Sequence, residues 1–196
     1  MNLLKSMLSR IRNFKLKKLL CGIGQSQILH DQILITAYPF KPSAAHPNFK
    51  INAQSIDAIS FDSYPPLIKL DNECIFISRA QADELKAFAI RNQVKIFKAS
   101  LVWDWILEPF LDTAYTDSMD TKLMKLLAEN GISKVEVQSI RKEVETQMMK
   151  YNFDTMLWEW VSLGLSDVLA AMRAKYSDRK FNEFYFKAME IQLRNF

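Results

Sequence analysis

The sequence predicts an α+β protein, and three observations carry that prediction. Before Ala99–Ser100, short runs rich in Ile, Phe and Tyr are separated by Pro, Asn, Asp and Ser. After it, apolar residues recur at helical spacing almost to the end. The composition, 49% apolar and 24% charged, is that of a globular chain able to build its own core. The expected organisation is a basic amphipathic helix over residues 1–20, a small, mostly antiparallel sheet lobe with one helix over 21–99, and an all-α helical lobe over 100–196.

Leu4, Met7, Leu8, Ile11 and Phe14 fall on one helical face, and Gly22 and Gly24 stop the pattern. Ile28–Leu29 and Gln32–Tyr38 are β-rich runs that end at Pro39. Lys41–Pro47, with two prolines, is a loop. Phe49 and Ile51, then Ile59 and Phe61, alternate with polar neighbours as half-buried strands do. Leu67–Leu70 and Glu73–Ile77 flank Asp71-Asn72, a tight hairpin turn. Ser78 and Gln81 have capping-box spacing before a helix that runs to about Asn92 and buries Leu85, Phe88 and Ala89. Val94–Phe97 returns to the sheet.

In the second half, a helix over Leu101–Leu111 is interrupted or ended by Pro109, and another over Asp117–Asn130 stops at Gly131. Ser133 and Glu136 form the next capping box, flanked by Ile132 and Val137 at staple positions. Val137, Ile140, Val144 and Met148 make that helix's buried stripe. A long helix is expected from near Asp154 to about Tyr176, and Ser177-Asp178 caps a last, aromatic-rich segment.

The net charge is +4, unevenly placed. Residues 1–20 carry Lys5, Arg10, Arg12, Lys15, Lys17 and Lys18 and no acid, so the rest of the chain is near neutral to slightly acidic. That excludes the clustered basic face of a nucleic-acid-binding domain, and no nucleic-acid partner is expected. The Leu126–Ser133 segment has the outline of a helix-turn-helix, but three glutamates balance three bases in the helix after it, so a plain helical hairpin is expected. No run of apolar residues is long enough to span a bilayer. Cys21 and Cys74 lack CxxC spacing, and two free thiols in a reducing interior are the simplest reading.

No motif announces catalysis. There is no Gly-x-Ser-x-Gly and no Walker-type loop, and Gly22-Ile-Gly24 lacks the third glycine of a dinucleotide loop. His30 and His46 sit in the strand-rich half, away from the carboxylates of the helical half, so neither a metal nor a cofactor is expected. Two segments echo each other: Trp103-Asp104-Trp105-Ile106 and Trp158-Glu159-Trp160-Val161, each with an aspartate, Asp112 or Asp167, at the same distance beyond. Leu101–Asp120 also carries five acids and no base, with Asp104, Glu108 and Asp112 at i, i+4, i+8. Like charges in such a row repel, so the row gains meaning when a cation meets it.

The function expected from these features is non-catalytic. Asp104, Glu108, Asp112 and Trp105 would form an acidic, Trp-rich surface that binds another protein, in the manner of an inhibitor or immunity protein meeting a basic enzyme. One alternative is a peripheral membrane module in which Lys5, Arg10, Arg12, Lys15, Lys17 and Lys18 anchor residues 3–20 on an anionic surface. Another is an enzyme with an unrecognised carboxylate site, which a deep pocket lined by Asp104, Glu108, Glu159 and Asp167 would favour. The expected location is cytoplasmic, at the inner face of a membrane if the anchor operates.

Overall fold

The structure, a computed structural model, describes residues 22–111, 115–155, 162–194 and 196, with side chains described except at 152–155. The basic helix over 1–20 with its anchor lysines and arginines, Asp112, and the Trp158–Val161 echo lie outside the described residues. Within them the fold is α+β, with six strands and six helices.

β1 (Gln25–Ile28), β2 (Gln32–Thr36) and β3 (Phe49–Asn52) form an antiparallel sheet in that order. Ile33 and Ile51 pair directly, and both are buried with Ile35, so one face of alternate residues meets the core. β4 (Ala58–Ser60), β5 (Leu67–Leu70) and β6 (Glu73–Phe76) form a second antiparallel sheet. Its β5–β6 hairpin turns at Asp71-Asn72, with Asp71 at φ 49° in the left-handed region that this tight turn requires.

The expected single sheet is thus two. A turn of 3-10 helix, Ala53–Ser55, separates β3 from β4 and redirects the chain. The second edge of β4 is then occupied by the returning segment: Ile59 N–H donates to the Lys95 carbonyl at 2.8 Å and Phe97 N–H to the Ile59 carbonyl at 3.0 Å. The return of Val94–Phe97 is real but amounts to one parallel bridge, Ile59 with Ile96.

α1 (Ala82–Arg91) buries Leu85, Phe88 and Ala89 as its spacing requires. Its expected capping box does not form. Residues Arg79–Gln81 make a 3-10 turn first, Ser78 makes no side-chain cap, and Gln81 instead bonds Ser26 of β1. A local signal lost here to a tertiary contact.

α2 (Val102–Leu107) ends in a 3-10 turn, Glu108–Phe110, where Pro109 removes a donor. α3 (Asp117–Glu129) begins with the Thr116 hydroxyl accepting from Met119 N–H and ends before Gly131, whose φ of 74° reverses the chain. α4 (Lys134–Thr155) buries Val137, Ile140, Val144 and Met148. Half of its capping box forms: Ser133 Oγ accepts from Glu136 N–H at 3.2 Å, while the Glu136 carboxylate turns to Arg194.

The long helix expected from Asp154 to Tyr176 is not continuous. α4 reaches Thr155, and α5 (Leu165–Lys175) starts afresh after Gly164, whose N–H donates to the Asp167 carboxylate at 2.9 Å. A glycine followed three positions later by an acid is a helix start, and it resets the register. α6 (Asp178–Leu193) begins at the Ser177 cap.

Both halves share one core. α6 lies against β6: the buried Tyr185 hydroxyl donates to Glu73 at 2.8 Å, and Phe40 packs between Phe76 and Phe181. Trp103 of α2 is buried and donates its indole N–H to the Ala188 carbonyl at 3.1 Å, fixing α2 across α6. No helix among the described residues is long and apolar enough to cross a membrane.

Candidate functional site

Trp103 sets the azimuth of α2. With its ring in the core, the next residue, Asp104, is carried to the rim of a cavity of about 320 Å³ between the second sheet and the helical half. Asp62 and Tyr64 come from the chain after β4, Ser100 and Leu101 from the approach to α2, and Ser162, Gly164 and Ser166 from the start of α5.

Asp104 is half-buried there, and its carboxyl is pushed up to about 6. Burial is the main cause, and the charges of Asp167 and Glu108 act the same way. Its own backbone N–H and the Ser162 hydroxyl oppose the shift without cancelling it. Asp167 stands on the other side of Gly164. A Cβ built on that glycine would lie 3.6 Å from Asp104 Oδ2 and 4.0 Å from Asp167 Oδ2. The Asp167 carboxyl is also raised by burial, although Gly164 N–H and the Tyr151 hydroxyl, at 3.0 Å, donate to it. Among the described residues neither carboxylate makes an ion pair with a Lys or Arg.

Asp104 and Trp105, adjacent in the chain, meet different cavities. Asp104 faces the cavity, while Trp105, half-buried, lines a different one of about 300 Å³ with Leu101, Phe97, Asn130 and Phe196. Glu108 is half-buried at the head of the 3-10 turn and acts on Asp104 through its charge. Further along the acidic stretch, Asp120 meets an internal base. Arg141 of α4 donates to Asp120 at 2.8 Å, to the Tyr115 hydroxyl at 3.2 Å, and to the carbonyls of Trp105 and Ile106 at 3.3 and 3.0 Å. Bonds from Tyr115 and Arg141 hold the Asp120 carboxyl below its ordinary value.

Of the four carboxylates that would line an enzyme's pocket, the fold brings Asp104 and Asp167 together across Gly164, Glu108 acts on Asp104 through its charge, and Glu159 lies outside the described residues. One participant has no counterpart in the sequence analysis. Arg141 carried no signal beyond a base on a helix, yet it caps the carbonyl end of α2. No group of three or more His, Cys, Asp or Glu among the described residues is arranged to hold a metal ion. The chain matches no family model, no curated protein and no solved structure.

Proposed function

We propose that the chain is a non-catalytic interaction module that takes a basic side chain of a partner protein into the cavity at Asp104. The observation that carries this reading is a half-buried carboxylate, crowded by a second one, that no base among the described residues neutralises. Leaving it ionised costs desolvation and like-charge repulsion. A Lys or Arg entering from outside offsets both, and the hydroxyls of Ser162 and Ser166 and the Tyr64 carbonyl region give such a group polar company.

The reading keeps the expected class, a protein-binding module for a basic partner, and centres it on the cavity at Asp104. Glu108 is the nearest member of the row to Asp104 in sequence, one helical turn on. Trp105 serves as a neighbouring contact on another face of α2.

The experiment is a calorimetric titration with tetra-arginine and tetra-lysine peptides, followed across pH and salt. The expected result is saturable binding at pH 8 that weakens as pH falls through about 6, where Asp104 takes up its proton. Asp104→Asn is expected to weaken binding roughly tenfold, and added salt to weaken the wild type more than this variant. Equal affinity for the wild type and Asp104→Asn overturns the reading.

A further inference from the structure

A second cavity, of about 440 Å³, opens where the Ala37–Pro47 loop meets the corner between α5 and α6. Its charge is the reverse of the first. Lys41 and Arg173 line it, with His46 beside them, against one acid among the described residues, Asp178. We propose that this cavity binds a small organic anion: a flat apolar body carrying an oxyanion group, carboxylate or phosphate.

The volume is that of a small-molecule site. The apolar part of the wall is preformed. Tyr38 spends its hydroxyl inside the fold, accepting from Phe76 N–H at 3.2 Å, so its ring is held in place. Phe40 buttresses Tyr38 and Phe181 from behind, with ring centroids 5.6 and 6.4 Å away. Pro39 and Pro47 complete an apolar lining that loses little entropy when a ligand arrives.

The cationic part is held in the same way. Arg173 donates from Nη1 to the Pro39 carbonyl at 2.7 Å, which fixes its planar guanidinium at the wall. The neighbouring His46 ring is fixed as well, because its Nδ1–H donates to the Tyr38 carbonyl at 2.7 Å. Lys41 bonds Asp178 at 2.7 Å, but the two side chains are 63% and 82% exposed. A pair so open to water contributes little, so an incoming anion can take Lys41 from Asp178. Asp178 is then a competitor for the ligand, which yields an unusual sign for one variant.

The test uses the full chain, titrated by calorimetry and by amide chemical shifts with benzoate and with phenyl phosphate. Benzyl alcohol supplies the apolar body alone and inorganic phosphate the charge alone. At least one of the two aromatic anions is expected to saturate below about 10 mM, with shifts centred on residues 37–47 and 173–181. Lys41→Gln is expected to weaken that binding roughly two- to fivefold and Asp178→Asn to strengthen it by a similar factor. Asp104→Asn, at the other cavity, is expected to leave it unchanged, so this proposal and the basic-partner reading fail separately. Absence of saturation by both anions overturns the proposal. So does inorganic phosphate or benzyl alcohol binding as tightly as the aromatic anions, or Lys41→Gln and Asp178→Asn leaving the affinity as it was.

Discussion

At Asp104, burial and two neighbouring carboxylates push in one direction, and the consequence for stability has an uncommon sign. Its folded pKa, about 6, lies above that of an unfolded aspartate, near 3.9. Between those values the folded state holds the extra proton, so this residue's contribution falls as pH rises through the window and stays lost above it. Asp104→Asn removes that dependence. The variant is expected to gain about 2 kcal/mol relative to the wild type on going from pH 4 to pH 8, after discounting for solvent screening. Urea midpoints of both proteins at the two pH values measure it, and parallel pH profiles would show that Asp104 titrates as in water. Cys74 is a different case of burial. Its thiol is enclosed between β6 and α6 and pushed up to about 12, so it is expected to react with a thiol reagent only when the chain unfolds.

At the scale of elements, α2 is too short to be stable by itself: six residues lie below any length at which a helix persists in water. Two side chains from elsewhere hold it. The Trp103 indole reaches α6, and Arg141 of α4 caps the carbonyls of Trp105 and Ile106 while pairing with Asp120. Arg141→Ala is expected to cost about 2 kcal/mol, because the carbonyls lose a charged donor. Asp120→Asn is expected to cost less than about 1 kcal/mol, since that carboxylate is a third exposed. Denaturant midpoints of the two variants rank them. The α4–α6 link repeats the pattern: Arg194 donates to both oxygens of Glu136 at 2.9 and 2.8 Å and to Glu190, so the end of α6 closes on the start of α4.

Over the whole molecule, the sheets and helices cannot unfold separately without exposing a common core. Cys74 N–H meets Met189 Sδ, Tyr185 meets Glu73, and Phe40 lies among Phe76, Phe181 and Tyr185, all across the boundary between the halves. Unfolding followed by far-ultraviolet circular dichroism and by tryptophan fluorescence is expected to give coincident transitions. Trp103→Ala is expected to cost about 3–5 kcal/mol and to shift both signals together. Two separated transitions would mean that the halves are independent.

Much of this architecture was legible along the chain because its causes are local. Alternation at Ile33 and Ile35, the Asp71-Asn72 turn, the Ser133 and Ser177 caps and the Val137–Met148 stripe each act within a few residues. The errors came at short local breaks and where a distant contact won. Ala53–Ser55 split one sheet into two, Gly164 with Asp167 began a new helix inside a run expected to be one continuous helix, and Gln81 left its capping box for Ser26 of β1. The cavities belong to the second kind. No local rule brings Asp104 beside Asp167 or gathers Lys41 and Arg173 at one cavity; the approach of α2 to Gly164 at the start of α5 and the packing of the Ala37–Pro47 loop on α5 and α6 do that. Residue type and spacing determined which segments are strands and helices, since each such choice is made by neighbours in the chain. Tertiary structure alone decided which charges face one another, because that depends on how finished elements pack, and packing is set by shape and volume summed over the whole core.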